Sequence, residues 1–271
     1  MKIGDMLKKE AASQTGAARQ PDVVTLTPLR WDGGFHPDTL RGLLNLGRFF
    51  QSQGLVLSAE NTRGGSQAMA RAELLGRVLA KDPKSSAGGR AWFLDSDIVP
   101  TIPTALALLA VDADIVTIPY CSRVATEGTS RFWTVRVPLG RPRIRVSNGH
   151  RLLGIAGSGL GMTSISRAAI VRMAAHFPEL LSWCDSSQRR RGMPCVFNPL
   201  IRVRPERVGA EDVGQAFDEE DASFFARALE CGLRVEALCD LWVAHAHGER
   251  TFTPAPGDTF ARAIGLPPPC P

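Results

Sequence analysis

The sequence lacks any apolar run long enough to cross a membrane. Its longest uninterrupted apolar stretches, such as residues 105–111, fall well short of the roughly 18 to 20 residues that span a bilayer. The first twenty residues contain lysines with no apolar block after them, and they include Asp5 and Glu10, so they resemble neither a signal peptide nor an acid-poor transit peptide. We therefore expect an intracellular, cytoplasmic protein without a membrane span.

The sequence also lacks a C-x-x-C pair, because its six cysteines lie far apart. This spacing argues against a zinc site and against a secreted disulfide scaffold. We expect reduced thiols, several of them in the core. The cysteines are Cys121, Cys184, Cys195, Cys231, Cys239 and Cys270.

Lysine is scarce, and no lysine follows Lys84. Between Arg123 and Arg207 the chain has fifteen arginines against four acidic residues, so this segment carries +11, whereas the whole chain carries +5 and the remainder −6. A GC-rich genome would explain arginine in place of lysine, but it does not explain the missing acids. Because the planar guanidinium binds phosphate through two parallel hydrogen bonds, the segment favours a polyanionic partner.

The first half of the chain shows alternating strand and helix patterns. Hydrophobic residues make up 44% of the sequence, which is ample for a sizeable core. Three β-rich runs, at residues 22–29, 54–61 and 90–98, are separated by two segments with the apolar spacing of helices, and a further helix leads to a strand at residues 113–120. This pattern predicts an α/β fold with a Rossmann-like, mostly parallel sheet flanked by helices over residues 20–120.

After residue 120 the alternation breaks, although helical patterns return at residues 166–177 and 219–232. A last apolar strand is predicted at residues 233–245, ending on a histidine. We favour one domain, in which the second half packs onto the same sheet. The predicted divisions are a lead-in at residues 1–20, a domain at 21–250 with halves at 21–120 and 121–250, and a tail at 251–271.

Two carboxylates, Asp95 and Asp97, directly follow the apolar run of the third predicted strand. One acid there would be explained by helix capping together with Ser96. Two acids raise each other's pKa unless a cation lies between them, and a divalent cation bound to carboxylate and phosphate oxygens is the usual remedy. Ligands of such sheets bind outside the carboxyl ends of the strands. The position therefore favours a cation site, although D-x-D alone is common by chance.

Three blocks of sequence together resemble one family. FLDSDI resembles the metal-binding strand end of nucleotide-sugar glycosyltransferases with the type A fold, and GSGLGMTSISRAAIVRM resembles their Gly-rich segment. FDEEDASFFARALECGLRVEALCDLWVAHAHG resembles their acidic E-D pair opening a helix, followed by a strand and a histidine. The resemblance extends with gaps over residues 23–247 and implies a glycosyltransferase A, family 2-like fold that moves a sugar from a nucleotide-diphosphate donor to an acceptor hydroxyl.

The resemblance also implies a metal site. Asp97 would be the direct ligand of Mn²⁺ or Mg²⁺, and Asp95 would contact the ribose of the donor or the metal through water. His245 would complete the site, with His247 as the second candidate in the same H-A-H triplet. Apart from the resemblance, such a histidine would be interpreted as a surface turn residue or a satisfied core group.

Asp221 and Glu220 fall on the E-D pair. The resemblance implies that Asp221 acts as general base on the acceptor hydroxyl, with Glu220 as the second candidate. In a retaining enzyme these residues would instead bind the acceptor or brace the β-phosphate. Acids in the first turn of a helix also favour its dipole without any catalytic role, and this interpretation stays open.

Five residues are candidates for binding the nucleotide of the donor, on the resemblance of their positions to the family's. A surface-polar role is an equal alternative for each of them. The chain has Glu73 where many relatives place asparagine, so the local detail departs from the family. The five candidates are Thr27, Pro28, Arg30, Glu60 and Arg71.

The basic segment lies in the half that binds the acceptor in this family. We therefore expect a polyanionic acceptor, with DNA carrying a hydroxylated base such as 5-hydroxymethylcytosine as the concrete candidate, and resemblance to short phage-type members points the same way. A phage-encoded enzyme of this kind would work in the bacterial host cytoplasm. Rival interpretations are transfer to a surface glycan, lipid or protein, a nucleotidyltransferase, and a non-catalytic nucleic-acid-binding module.

Overall fold

Six helices form in the parts of the chain that the computed structural model describes, and four begin on a side chain that accepts a hydrogen bond from the first turn. These capping residues are His36, Thr101, Ser166 and Thr259. The described parts are residues 23–29, 34–63, 66–80, 90–121, 133–138, 143–184, 191–203, 215–254 and 259–267. The helices are α1 (Pro37–Ser52), α2 (Gln67–Ala80), α3 (Ile102–Ala110), α4 (Arg167–His176), α5 (Glu220–Glu230) and α6 (Phe260–Ala263).

The strands form one large sheet and several short ribbons. The large sheet contains β1 (Val23–Leu29), β2 (Leu57–Arg63), β3 (Arg90–Leu94), β5 (Ile115–Thr117), β7 (Ile144–Ser147), β8 (His150–Gly154), β10 (Met162–Ser166) and β15 (Val235–Leu238). The ribbons contain β4 (Ile98–Val99), β6 (Val135–Arg136), β9 (Gly157–Ser158), β11 (Leu181–Cys184), β12 (Arg191–Pro194), β13 (Leu200–Val203), β14 (Gln215–Asp218), β16 (Ala244–His247) and β17 (Arg250–Phe252).

The large sheet is mixed, in the order β2-β1-β3-β10-β5-β15-β8-β7. Three neighbouring pairs are parallel and four are antiparallel. The predicted α/β class is confirmed, but the mostly parallel arrangement is not. The antiparallel pairs come from strands after residue 120: β10 lies between β3 and β5, and β8 pairs with β15 and with β7. The strands of both halves of the chain belong to this one sheet.

The central strands of the sheet are buried on both faces. Along β3, Ala91 and Phe93 pack against one layer of helices, while Trp92 and Leu94 pack against the other. The alternation of side chains across a strand explains why a strand buried on both faces reads as a continuous apolar run. Helices α2, α4, α5 and α6 cover the first face, and α1 and α3 cover the second. Full burial of one such side chain contributes roughly 1.5–3 kcal/mol.

The strand predicted at residues 233–245 is in fact two strands. The first, β15, ends at Leu238, and β16 begins at Ala244. Asp240, between them, forms an ion pair with Arg151 of β8. The second strand leaves the large sheet and pairs with β4 and β17 in a three-stranded ribbon. His245 therefore lies within a separate ribbon next to the D-S-D loop and does not end a strand of the main sheet.

Residues 259–267, within the predicted tail, are packed against the core. Phe260 of α6 is 2% exposed and contacts the ring of Trp133, and Ala261 donates its backbone N–H to the carbonyl of Cys239. The predicted lead-in, residues 1–20, lies outside the described residues. Within the described parts, none of the helices has both the length and the apolar character needed to span a bilayer.

Candidate functional site

The D-S-D loop, residues 95–97, is fixed by backbone hydrogen bonds from three directions. Asp95 donates its N–H to the carbonyl of Gly161 at 2.9 Å, and the carbonyl of Asp97 accepts from the N–H of Ala246 at 2.7 Å. The carbonyl of Ser96 accepts from the residue that caps α1, at 2.8 Å. The loop is thereby held between β10, β16 and α1. Its two carboxylates have different partners.

The side chain of Asp95 binds Arg71 of α2, which is 1% exposed. The guanidinium contacts three carboxylates: it lies 3.0 Å from Asp95, it donates to Asp221, and it lies 3.6 Å from Glu220. Asp221 is 150 residues away from Arg71 in the chain. We call these four residues the arginine cluster. Three acids meet one cation there, so the cluster retains an excess of negative charge.

Burial and charge act in opposite directions on the arginine cluster. Burial disfavours the charged form of Arg71, but the surrounding carboxylates of Asp221, Asp95 and Glu220 outweigh it, so the pKa of Arg71 is raised. Its Nε–H is buried, and among the described residues it has no hydrogen-bond partner. The acids hold the guanidinium through its two terminal nitrogens.

Asp221 lies in the first turn of α5, with 30% of its side chain exposed. One carboxylate oxygen faces Arg71 and the other accepts from the backbone N–H of Leu160 at 3.2 Å. Burial raises the pKa of Asp221 to about 6, and the charges of Asp95 and Glu220 act in the same direction, against the opposing effects of Arg71 and of the Leu160 N–H. An oriented carboxylate with a pKa near neutral pH is suited to accept a proton.

The side chain of Asp97 faces His245. Nε2 of His245 lies 3.7 Å from Oδ1 of Asp97, and Nδ1 lies 3.1 Å from the carbonyl of Cys121. If Nδ1–H donates to that carbonyl, the lone pair of Nε2 is directed at the carboxylate side. Sequence analysis left open which histidine of the triplet is used. In the structure it is His245 that faces Asp97, whereas His247 is exposed.

The Asp97 and His245 pair fits a divalent cation, because it offers one oxygen and one nitrogen donor with the imidazole oriented by a carbonyl. Within the described ranges, no three histidine, cysteine or acidic side chains come together as a complete protein site for a metal. Asp95 is engaged by Arg71 rather than by this pair. A cation held here would need further ligands besides this pair, and oxygens of a bound phosphate or of water are suited to that role.

A residue that the sequence analysis missed, Tyr120, lies between the two parts of the site. It is 6% exposed, and its ring meets the ring of His245 edge-on. Burial raises its pKa, as do the nearby charges of Asp95 and Asp221. Tyr120 is the only tyrosine of the chain and follows an apolar strand closely, so its place at the carboxyl edge of the sheet was a usable signal.

Residues 159–161, which we call the glycine segment, belong to the Gly-rich stretch, and the structure shows why two of them are glycine. A Cβ on Gly159 would lie 2.0 Å from the hydroxyl of Tyr120, and one on Gly161 would lie 2.7 Å from its ring. These glycines are needed because the tyrosine occupies the space of a side chain. The segment also supplies the N–H that binds Asp221 and the carbonyl that binds Asp95.

The remaining predicted donor residues have other neighbours. Thr27 is buried within β1, and Glu60 on β2 lies 3.9 Å from Arg77, which also pairs with Glu73. Pro28 belongs to β1, and Arg30 lies outside the described residues. Among the predicted site residues, the structure thus brings together the arginine cluster and, beside it, the Asp97 and His245 pair.

Several arginines of the basic segment are used inside the fold. Arg145 pairs with Glu236, Arg151 pairs with Asp240, and Arg167 donates to the backbone carbonyl of Val78 in α2 at 2.7 Å. Arg136 and Arg143 are exposed. The described part of the segment therefore offers fewer arginines to a polyanion than the sequence count suggests.

No family model matches the chain, and a comparison with curated proteins finds no match either. Among solved structures, the chain is similar to the crystal structure of A197 from STIV, with 16% identity and a TM-score of 0.47. That similarity covers 85% of this chain and 94% of A197.

Proposed function

We propose that the protein is a metal-dependent glycosyltransferase with a glycosyltransferase A-type fold, which moves a sugar from a nucleotide-diphosphate donor to an acceptor hydroxyl. The proposal is supported above all by one observation. Asp95, after β3, and Asp221, at the start of α5, share the buried guanidinium of Arg71 at the carboxyl end of β3. Open sheets bind their ligands at this position.

Asp221 is the residue that we assign as general base. Its carboxylate is oriented by Arg71 and by the N–H of Leu160, and it keeps part of its surface open to an incoming hydroxyl. It would accept the proton of the acceptor as the oxygen attacks the sugar. Glu220, next to it and also partly exposed, would bind the acceptor or support the charge of the cluster.

Asp97 and His245 are the residues that would hold Mn²⁺ or Mg²⁺. When bound, the cation would stabilise the negative charge of the departing diphosphate. The backbone contacts of the D-S-D loop keep Asp97 facing His245, while Arg71 keeps Asp95 away from the pair. The hydrogen bond from Arg71 goes to Oδ1 of Asp95, so Oδ2 is the oxygen that would contact the donor.

The test is incubation of the full chain with a panel of nucleotide sugars and Mn²⁺, with release of nucleoside diphosphate as the measurement. Hydroxymethylated duplex DNA is the first acceptor. In a parallel assay with nucleoside triphosphates and a sugar 1-phosphate, release of pyrophosphate would instead indicate a nucleotidyltransferase. Asp97→Asn should lose turnover at limiting Mn²⁺. Asp112→Asn is the matched control. Asp112 is an exposed acid that precedes β5, so it lies at the amino end of that strand, whereas the site lies at the carboxyl end. Full turnover by Asp97→Asn would exclude the metal assignment.

The acceptor is a separate part of the proposal. The net charge of +11 between Arg123 and Arg207 supports a polyanion, for which DNA with a hydroxymethylated base is the concrete candidate. Binding to such DNA should weaken steeply with salt, as phosphate contacts release counterions. Transfer to a neutral glycan, without salt-sensitive binding to duplex DNA, would exclude the DNA acceptor and leave the transferase assignment intact.

A further inference from the structure

The ring of Tyr120 fixes one candidate metal ligand. Its centroid lies 5.2 Å from that of His245, with an angle of 85° between the ring planes. The next residue in the chain, Cys121, provides the carbonyl that lies 3.1 Å from Nδ1 of His245. Two consecutive residues therefore hold the imidazole, one through an aromatic edge contact and the other through a ring nitrogen.

The hydroxyl of Tyr120 contacts the other part of the site. The phenol oxygen lies where a side chain on Gly159 would begin, and the ring of Tyr120 lies where one on Gly161 would begin, so the phenol packs directly against the backbone of the glycine segment. This glycine segment is the same one that binds the carboxylate of Asp221 and the backbone of Asp95. One rigid side chain thus connects the imidazole to the segment that holds the base.

We propose that Tyr120 is a positioning residue that keeps the Asp97 and His245 pair and the general base Asp221 in one relative geometry. A side chain that is 6% exposed acts through its neighbours rather than on the substrate. Its two ends have separate tasks: the ring orients His245, and the hydroxyl holds the glycine segment. The activity test of this role rests on the proposed function, whereas its spectroscopic test does not.

The hydroxyl and the ring of Tyr120 can be removed one after the other by substitution. Tyr120→Phe removes only the hydroxyl. We expect kcat to fall about 10-fold, which is the lower end of the usual effect of losing a residue that orients a ligand. The Mn²⁺ concentration that gives the half-maximal rate should change little. Tyr120→Leu also removes the ring. In this variant the Mn²⁺ concentration that gives the half-maximal rate should rise about 10-fold, in addition to the fall in kcat. A merely structural role predicts no such division between the rate and the metal dependence.

Nuclear magnetic resonance of the full chain gives a readout that needs no turnover. The ¹⁵N shifts of the His245 ring report its tautomer, and the amide shifts of residues 159–161 report the glycine segment. Tyr120→Phe should move the amide signals and leave the ring signals of His245 in place. Tyr120→Leu should move both.

Phe50→Leu is the matched control, because Phe50 is a fully buried aromatic residue in the same apolar layer as Tyr120. It should lower the melting temperature without moving the His245 or glycine-segment signals and without altering the Mn²⁺ dependence. If both Tyr120 variants behave like Phe50→Leu, the positioning role is wrong. If no donor is turned over but the Tyr120 variants move the signals as expected, the proposed function fails and the positioning role stands.

Discussion

Asp95 and Asp97 are two residues apart in one loop, yet the fold gives them opposite kinds of partner. Asp95 contacts a guanidinium that is 1% exposed, within a cluster of three acids. Asp97 contacts a histidine, whose neutral form brings no positive charge. The two acids therefore have different surroundings: Arg71 balances the charge of Asp95, and Asp97 lies beside the imidazole where the proposed cation would bind.

This difference shows that two acids of one short motif can belong to two different sites. A buried arginine with three carboxylates is a permanent structural feature, because removing the cation would leave the acids uncompensated. An acid beside an imidazole is instead able to exchange a cation with solvent. The following changes test whether the two sides of the loop have these different roles, starting with the largest expected effect.

Asp221→Asn keeps the shape of the side chain and removes the proton acceptor. The rate of transfer should fall about 10²- to 10⁴-fold, the usual contribution of general base catalysis. The measurement is kcat with saturating donor and Mn²⁺. Glu220 is the neighbouring acid, at the longer distance of 3.6 Å from Arg71. In Glu220→Gln the rate should fall much less. Equal losses in the two variants would contradict the assignment of the base.

Arg71→Met removes the internal cation on the Asp95 side. The free energy of unfolding should fall by about 3 kcal/mol, because breaking a buried ion pair leaves acids without compensation. Urea unfolding measures this change. Arg41→Met is the control, since Arg41 forms an exposed pair with Asp38, and it should cost less than about 1 kcal/mol. Similar losses in both variants would show that the arginine cluster does not stabilise the fold.

His245→Gln removes the nitrogen donor on the Asp97 side. The Mn²⁺ concentration for half-maximal rate should rise about 10-fold or more, while the melting temperature without metal changes little. His247→Gln is a closely matched control in the same strand, and its side chain is exposed. The assignment is wrong if the two variants show the same dependence on Mn²⁺.

The pH dependence of the rate gives the smallest effect. The pKa of Asp221 is raised to about 6, chiefly by burial, and the base acts only when ionised, so activity should rise with pH up to that value. Below it, kcat/KM should fall about 10-fold per pH unit. Asp221→Asn should lose this limb and serves as the control. A limb near pH 4, the ordinary value for an aspartate, would indicate that burial does not act on this group.

Local sequence patterns predicted most elements of the first half. The apolar run of β3 and its end at Asp95 follow from a strand buried on both faces, and α1 and α2 follow from helical spacing between turn residues. The break of the predicted strand 233–245 into β15 and β16 did not follow, because both pieces are apolar and only their pairing partners differ. The hairpin of β7 and β8, joined by Asn148 and Gly149, had a usable signal in its N-G turn.

Among the site residues, the position after an apolar run indicated Asp95 and Asp97, and the resemblance to the glycosyltransferase family indicated Asp221 and His245. It assigned Arg71 to the nucleotide, whereas the structure shows its guanidinium engaged by carboxylates. It gave no role to Tyr120, although the position of this residue just after an apolar strand was a usable signal. Arg71 is separated from Asp95 by 24 positions in the chain and from Asp221 by 150. No local stretch of sequence encodes contacts between residues so far apart.

The sequence by itself determined which segments are apolar enough to be strands or helices, and where charged residues end them. The tertiary structure decided which ends meet. β10 inserts antiparallel between β3 and β5, and this places the glycine segment beside Asp95, Asp221 and Tyr120. Periodicity fixes the faces of an element because it reflects local geometry, but pairing between distant strands depends on how the whole core packs, which no short stretch of sequence specifies.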